Sequence, residues 1–404
     1  MRITAKVLRV YALPPEKYRQ AVAFNRAGYW LYFLGFAYGV LIYLLVLHWR
    51  VGPKYRDWAE RVSSQRLVQV IVFAPLLLLT VRALNLPRSA YAHWLVVKYG
   101  LSIQGWGSWA WDWTKMQLIL AGFGTFVVWV LYGAIRRSPR RWWFYFWLAA
   151  LPITVFVVFV EPVVIEPLFY KFEPLVARQP ALVAEIEKVV HRGGLPIPPE
   201  HMFVMKASAK LNAVNAYVTG IGSSKRVVVW DTTLAKMTTP QTLLVFGHEM
   251  GHYVLGHMLK GMAFFVVALL VFLFIGFWLL RGALRRWGAR WAIRGVDDWA
   301  SLPALLLLVA LFNFVAAPIN NAYSRHLEHQ ADIYGLEVTH DFVADSAQVA
   351  AQAFQIDGEV NLEDPDPPRF IVFWLYTHPP LNERMIFAQT YDPWSQGQAP
   401  RFVK

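Results

Sequence analysis

The sequence predicts an all-α membrane protein, a bundle of several spanning helices with a mainly α-helical water-exposed part that contains a small β-hairpin. Two observations lead to this prediction. Of the 404 residues, 57% are hydrophobic and only 16% are charged, a balance that suits lipid better than water. The hydrophobic residues also gather into long runs and are not spread at the period of a helix or strand, which is typical of chains surrounded by lipid.

Six apolar runs are each long enough to cross the hydrocarbon core of a bilayer. They cover residues 29–47, 67–84, 116–135, 142–165, 262–280 and 301–319. Tryptophan, tyrosine and phenylalanine gather at the ends of these runs, as expected of rings that prefer the headgroup layer. The runs divide the chain into a charged N-terminal segment, four spans, a first water-exposed part, two further spans and a C-terminal part. The corresponding boundaries are 1–28, 29–166, 167–260, 261–320 and 321–404.

The formal net charge of +13 does not indicate a nucleic-acid-binding protein. Arginine and lysine lie mostly beside the apolar runs, as is usual at the flanks of membrane helices, and form no separate basic domain. The chain contains no cysteine, which excludes disulfides and thiolate metal sites. Any metal is therefore expected to be held by histidine, aspartate or glutamate. Since no cleavage site follows the N-terminal charges, we expect no removable signal peptide and a first span that targets the chain.

The first water-exposed part is predicted to be mainly helical with one β-hairpin. Residues 181–192 have apolar side chains at helical spacing with charges between them, which predicts an amphipathic helix. Two strand-like runs, 213–219 and 226–230, are joined by a turn-rich segment at 220–224 and predict the hairpin. A further helix is predicted over 241–257.

This last helix contains the sequence His-Glu-Met-Gly-His. His248 and His252 lie one helical turn apart, so both imidazoles can reach one zinc ion. Glu249 is placed to act as the general base that takes a proton from water made acidic by zinc. The alternative is a chance pentapeptide in a buried helix, which is expected in about one chain in a hundred of this length. The pattern therefore predicts a Zn²⁺-dependent peptidase.

A third zinc ligand is required, and the metzincin pattern does not supply it, because positions 255 and 258 hold leucine and methionine. His257 turns away from the ligand face of the helix, so we expect it to be structural. Glu328 and Asp332 lie four residues apart in a predicted helix after the sixth run. One of them can bind zinc while the other accepts a hydrogen bond from a ligand histidine. The alternative for this pair is a solvated acidic face.

Several motifs in this sequence resemble those of the integral-membrane zinc metallopeptidases of the type I CAAX prenyl protease family and its bacterial heat-shock-type relatives. They are the run from Pro167 to Leu175, Asn215-Ala216-Tyr217, His248 to His252 with Leu255-Gly256-His257, Glu328 to Asp332, and Thr377 to Arg384. The resemblance extends over most of the chain. Together the motifs are specific, although the zinc pentapeptide alone is widely shared.

The resemblance implies a zincin-type (gluzincin) catalytic part with Glu328 as third zinc ligand and Asp332 as its support. It further implies that Asn215 and His378 contact substrate or the developing oxyanion, and that Arg384 lines the site. The family has seven spans around a hydrated chamber, whereas this sequence shows six, which leaves closure of a chamber open. We also expect strand residues 215–219 to form an edge strand that binds an extended peptide.

We therefore expect a zinc endopeptidase embedded in the lipid bilayer, with membrane-associated or hydrophobic polypeptides as substrates and no nucleic-acid partner. A quality-control protease for membrane proteins and a non-catalytic zinc-binding scaffold remain as alternatives. Glu249 weighs against the scaffold, because structural zinc needs no neighbouring general base. The sequence leaves the oligomeric state open.

Two observations disagree about orientation in the membrane. The family resemblance implies that the site faces the cytoplasm, at the inner membrane if the chain is bacterial. The arginine-rich short loops at 136–141 and 281–294 favour the cytoplasm for the opposite side, because basic loops tend to stay inside. We expect the cytoplasmic placement of the site.

Overall fold

The structure, a computed structural model, describes residues 8–194, 197–220 and 226–403. Within these residues, six helical segments are long and apolar enough to cross a membrane, which confirms the predicted all-α membrane architecture. They are Pro15–His48, Arg66–Leu84, Trp106–Arg137, Trp142–Leu168, His257–Trp287 and Trp299–Thr339. Every one of the six predicted apolar runs lies inside one of these helices.

The helices of the membrane part are α1 to α6, followed after the first water-exposed part by α11 and α12. Their bounds are α1 Pro15–His48, α2 Val51–Val62, α3 Arg66–Leu84, α4 Leu86–Lys98, α5 Trp106–Arg137, α6 Trp142–Val160, α11 His257–Trp287 and α12 Leu302–Thr339. The short helices α2 and α4 were not predicted, because neither contains an apolar run of spanning length.

Helix α1 begins well before the predicted start of the first span. Residues 15–28, assigned from sequence to a charged N-terminal segment, are helical from Pro15 onward. Proline suits the first turn of a helix, where its missing N–H is not needed. Polar side chains hold this part of α1 against the C-terminal part: Asn25 donates to the Leu362 carbonyl at 2.6 Å, and the Tyr29 hydroxyl donates to Asp364 at 2.8 Å.

The core of the membrane part lies at the end of the bundle where α12 begins. Trp299, 1% exposed, packs 4.8 Å from the Tyr132 ring and 6.1 Å from the Phe73 ring. The same end contains an ion pair between Arg56 and Asp298 at 2.6 Å, with both side chains buried. Because α12 is 38 residues long, it spans roughly 57 Å at 1.5 Å per residue. The helix therefore connects this buried end to the water-exposed part.

The water-exposed part contains a four-stranded sheet in the order β1-β2-β4-β3. The strands are β1 Phe172–Pro174, β2 Met202–Met205, β3 Ala216–Thr219 and β4 Arg226–Trp230. β3 and β4 pair antiparallel, from Ala216 opposite Val229 to Thr219 opposite Arg226, as predicted for the hairpin. The predicted turn at 220–224 lies almost entirely outside the described residues. Strands β1 and β2 were missed because runs of three or four residues give little sequence signal.

The helices of the water-exposed part pack on this sheet and on each other. They are α7 Leu175–Arg178, α8 Pro180–Arg192, α9 Asp231–Lys236, α10 Thr239–Val254, α13 Ser346–Asn361, α14 Arg369–Leu375 and α15 Leu381–Thr390. Fully buried Ile186 of α8, Val227 of β4 and Met250 of α10 belong to one apolar cluster. This core holds α10 rigidly beside strand β3 and helix α12.

Candidate metal centre and active site

Helix α10 carries the first two candidate ligands and has well-defined ends. Thr238 precedes it and forms a capping box with Gln241, whose side chain accepts from the Thr238 N–H at 2.9 Å. The helix ends at Val254, earlier than the predicted 257, because Gly256 adopts a left-handed backbone with φ +68°. His257 is consequently the first residue of α11.

Three glycines allow α10 to approach α12 closely. A Cβ at Gly335 would lie 2.9 Å from the His248 backbone nitrogen, and a Cβ at Gly251 would lie 3.2 Å from the Cα of Ala331. A Cβ at Gly247 would lie 3.2 Å from the Gly335 carbonyl oxygen. Side chains at these positions would force the two helices apart. This contact therefore sets the distance between residues of α10 and carboxylates of α12.

His248, His252 and Glu328 bring one ligand atom each to a common point. His248 Nε2 lies 3.1 Å from Glu328 Oε2 and 3.2 Å from His252 Nε2, and the third side of the triangle is 3.4 Å. Zinc bonds of about 2.0–2.2 Å in tetrahedral geometry place ligand atoms roughly 3.3–3.6 Å apart. The triangle and its two-imidazole, one-carboxylate composition therefore fit a zinc ion.

Asp332 and Arg384 form a layer behind His248. Asp332 Oδ1 lies 2.8 Å from His248 Nδ1, the ring nitrogen that faces away from the other two ligands. Arg384 donates twice to Asp332, at 2.9 Å from Nε and 2.6 Å from Nη2, and is only 8% exposed. Its guanidinium also lies 4.3 Å from the centre of the Phe354 ring. The paired arginine keeps Asp332 ionised and in position beneath the histidine.

The electrostatics of the site favour positive charge at the ligand triangle. Burial lowers the pKa of His248, but hydrogen bonds to Asp332 and Glu328 outweigh burial and raise that pKa to about 10. The two carboxylates thus stabilise a positive charge at this point, whether a proton or a divalent cation supplies it. Because a metal must displace that proton, its affinity is expected to fall at low pH.

His257 lies behind His252 in a similar way. Its Nδ1 is 3.1 Å from His252 Nδ1, and its Nε2 is 3.1 Å from Gln330 Oε1. The Gln330 oxygen requires a donor at His257 Nε2, which leaves His257 Nδ1 to accept from His252 Nδ1–H. That tautomer frees His252 Nε2 for a metal. Sequence spacing indicated that His257 is not on the ligand face, but it could not show this contact.

A cavity of about 560 Å³ opens beside the triangle and gathers the other predicted site residues. Asn215, His248, Glu249, Asp332, His378 and Arg384 all line it. Burial raises the pKa of Glu249, while the nearby His248 and His252 lower it. His378 Nε2 lies 3.1 Å from Glu328 Oε2, and the His378 side chain is 52% exposed. The cavity therefore combines a half-buried carboxylate with an accessible imidazole.

The first span also lines this cavity, which the sequence did not indicate. Phe24, Asn25, Gly28 and Tyr29 of α1 face it. Asn25 and Tyr29 were only a weak indication of this contact in the sequence, because one asparagine and one tyrosine in an apolar helix are compatible with many environments. The site is thus built from three parts of the chain that are far apart in sequence.

Strand β3 forms the edge of the sheet among the described strands and packs against α10. Trp230 N–H donates to the Asn215 carbonyl at 3.1 Å, so by ladder alternation Ala216 and Val218 direct their backbone groups to the open edge. The Ala216 N–H is already bound, since Asn215 Oδ1 accepts it at 2.8 Å. The N–H of Val218 therefore faces the open edge.

Two family models match most of the chain. Residues 176–391 match peptidase family M48. Residues 5–171 match a model described as the CAAX prenyl protease N-terminal region with five membrane helices. Of the six spanning helical segments in the described structure, four lie in that region, beside the shorter α2 and α4.

The chain is also similar to individual proteins over nearly its full length. It is 32% identical to YhfN of Bacillus subtilis, an uncharacterized metalloprotease, over 93% of this chain and 86% of the relative. It is 24% identical to the human CAAX prenyl protease 1 homolog, over 85% and 78% of the two chains. The crystal structure of S. mikatae Ste24p matches with a TM-score of 0.80 at 22% identity, covering 96% of this chain and 93% of the other. This last match shows a shared fold.

Proposed function

We propose, from the premise that this chain belongs to peptidase family M48 and is a membrane metalloendopeptidase, that it hydrolyses membrane-associated or hydrophobic polypeptides with zinc and a glutamate base. His248, His252 and Glu328 would hold the zinc. The observation that supports the proposal most strongly is the ligand triangle of 3.1 to 3.4 Å, which lies beside Glu249 in a cavity that α1 helps to form.

The chemistry needs one proton carrier from the chain. Zinc, when bound, makes water acidic near neutral pH and polarises the peptide carbonyl. Glu249 takes the proton from the attacking water and passes it to the leaving amine. Burial favours its protonated form and the two histidines favour its ionised form. These opposed influences suit a group that must change protonation state twice in each turnover.

Negative charge develops on the substrate carbonyl oxygen during attack, and two side chains in the cavity can donate to it. His378 and Asn215 both line the cavity. Thr377, which also lines the cavity, places its Oγ1 2.9 Å from His378 Nδ1 and so helps to orient the ring. We assign these two residues to the stabilisation of that charge. Arg384 and Asp332 act further back by orienting His248.

The substrate is an extended peptide added to the open edge of β3. Strand addition uses backbone hydrogen bonds, so it fixes the scissile bond beside the metal without demanding a particular sequence. Since α1 is a spanning helix and lines the same cavity, substrates anchored in the membrane can reach the site. A CAAX-type prenylated peptide is the specific substrate class that the named relatives suggest, and a misfolded membrane protein is the second candidate.

The test is a comparison of the wild type with Glu249→Gln. The amide keeps the helix and the ligands but cannot take the proton, so zinc content should stay unchanged while peptide cleavage is lost. Cleavage within about tenfold of wild type would show that Glu249 is not the base. Mass-spectrometric comparison of membrane proteins from cells with either form would then identify the natural substrates.

A further inference from the structure

Residues 8–14, which precede α1, form a segment without helix or strand that lies on α13 and α15. We call this segment the N-terminal strap. The Arg9 N–H donates to Gln389 Oε1 at 2.8 Å, and Gln389 Nε2 donates back to the Arg9 carbonyl at 2.7 Å. Gln355 makes the same exchange with Ala12, at 3.3 and 2.7 Å. Because an amide side chain supplies both a donor and an acceptor, each glutamine fixes the strap at one residue.

Tyr11 is the anchor of the strap and is only 4% exposed. Its ring belongs to one apolar cluster with Ala351 of α13 and with Leu381 and Met385 of α15. A Cβ at Gly358 of α13 would lie 2.6 Å from two carbon atoms of the Tyr11 ring, far inside van der Waals contact. Glycine at this position therefore leaves the room that the ring needs between the two helices.

The helices that Tyr11 joins also carry part of the active-site wall. Leu381 and Arg384 of α15 line the cavity that contains the ligand triangle. The Tyr11 hydroxyl donates to the Glu363 carbonyl at 3.2 Å, and Glu363 lines the same cavity. Tyr11 itself is not among the described residues of the cavity lining. An effect of Tyr11 on the site must therefore pass through the residues that it holds in place.

We propose that Tyr11 is a positioning residue of the metal centre, because it keeps α15 at the spacing from which Arg384 reaches Asp332. This inference rests on the proposed function, since it requires that the ligand triangle binds zinc. Arg384 donates to Asp332 at 2.9 and 2.6 Å, and Asp332 lies 2.8 Å from His248 Nδ1. Sites of this kind tolerate displacements of only about 0.5 Å. Loss of the ring would leave a cavity into which α15 relaxes partly, and this shift would displace Arg384 relative to Asp332.

The test compares full-length Tyr11→Ala with the wild type by competition with a zinc chelator in detergent. We expect zinc affinity to fall about three- to tenfold, less than for direct loss of the contact behind His248. Tyr11→Phe keeps the ring and loses only the hydroxyl contact with Glu363, so its zinc affinity should stay near the wild-type value. The matched control is Tyr132→Ala, which removes a 0% exposed tyrosine from the core of the membrane part. It should lower the thermal transition as Tyr11→Ala does, with unchanged zinc affinity.

A double variant separates positioning from general loosening of the fold. Asp332→Asn already breaks the contact through which Tyr11 acts. Adding Tyr11→Ala to Asp332→Asn should therefore lower zinc affinity no further, because the two changes share one route. Two independent changes would instead multiply in their effect on zinc affinity.

Three results would each overturn the inference and leave the proposed function intact. They are wild-type zinc affinity in Tyr11→Ala, equal loss in Tyr11→Ala and Tyr132→Ala, and a full effect of Tyr11→Ala in the Asp332→Asn background. A wild type that binds no zinc would instead overturn the proposed function, and this inference with it. If Tyr11→Ala does not fold, Tyr11→Leu keeps part of the apolar volume and should show the same pattern with a smaller loss of zinc affinity.

Discussion

Asp332 holds His248 from behind: its Oδ1 lies 2.8 Å from His248 Nδ1, while His248 Nε2 points to Glu328 and His252. A hydrogen bond at Nδ1 places the ring proton there and leaves Nε2 as the atom free to bind metal. The ion pair with Arg384 at 2.6 Å in turn fixes the carboxylate. The geometry of the metal site is therefore determined by two successive contacts behind His248, first with Asp332 and then with Arg384, which bring together residues of α10, α12 and α15.

Asp332→Asn should weaken zinc binding by about 10- to 100-fold. The amide preserves the size of the side chain but removes its charge and leaves Arg384 buried opposite a neutral group. Competition with a zinc chelator measures the change. Glu383→Gln, a change on the same helix as Arg384 outside the site lining, is the control and should bind zinc as the wild type does. Unchanged zinc affinity in Asp332→Asn would show that Asp332 does not contribute to metal binding.

Glu328→Ala should lower zinc occupancy far more than His257→Ala. The first change removes one corner of the ligand triangle, whereas the second removes only the group 3.1 Å behind His252. Metal analysis of the two purified variants decides between them. Equal occupancy in both, or loss in His257→Ala alone, would place the third ligand elsewhere.

Gly335→Ala should lower both zinc occupancy and thermal stability. The added Cβ would lie 2.9 Å from the backbone nitrogen of His248, so α10 and α12 must separate and the triangle must open. Gly133→Ala is the matched control, because a Cβ on that helical glycine has no atom within 4 Å. Thermal unfolding and metal content report the two effects. If Gly335→Ala behaved like the control, close helix contact would not be what sets the site geometry.

The parts of this protein that the sequence could predict are those governed by local rules. Lipid requires long apolar runs, so the spans were found, and helical spacing places His248 and His252 on one side of α10. The contact between α10 and α12 depends on glycines whose role appears only when the two helices meet. Such contacts between distant segments have no local pattern. Glu328 was therefore assigned through the family resemblance, and its approach to His248 was seen only in three dimensions.

Helix α1 is a second example of contacts between distant segments that the sequence does not predict. Charges between residues 16 and 26 suggested a segment outside the membrane helix, but the structure continues α1 through them. This part of α1 is held by the C-terminal part of the chain, where Leu362 and Asp364 accept hydrogen bonds from Asn25 and Tyr29. Partners so far away in the chain cannot be inferred from the helix alone. The lining of the active-site cavity by the first span was missed for this reason.

Single-cysteine labelling should place the C-terminal part on the cytoplasmic side. The chain has no cysteine, so Ser395→Cys and Arg140→Cys each introduce one exposed thiol, near the C-terminus and at the turn between α5 and α6. An impermeant maleimide should label Arg140→Cys in intact cells and Ser395→Cys only after permeabilisation. The reverse pattern would mean that the arginine-rich loops are cytoplasmic, as the positive-inside rule favours, and that the site faces outward.

Val218→Pro should raise KM for a peptide substrate about two- to tenfold while zinc content stays unchanged, because it removes one backbone hydrogen bond worth about 0.5–1.5 kcal/mol. The Val218 N–H faces the open edge of β3, so its loss costs no bond to β4. Val218→Ala keeps that N–H and is the matched control, with KM expected near the wild-type value. Tyr217→Pro should instead disturb the sheet itself, since the Tyr217 N–H faces Val228.

Asn215→Ala and His378→Ala can be compared with Val218→Pro. Both residues are assigned to stabilise the negative charge that the substrate carbonyl oxygen carries only while water attacks it. Each should lower kcat more than it raises KM, the opposite of Val218→Pro. Steady-state kinetics on one peptide separates the two patterns. If Val218→Pro folded, bound zinc and cleaved with the wild-type KM, the peptide would not pair with this edge, and β3 would serve only to support α10 beneath the metal site.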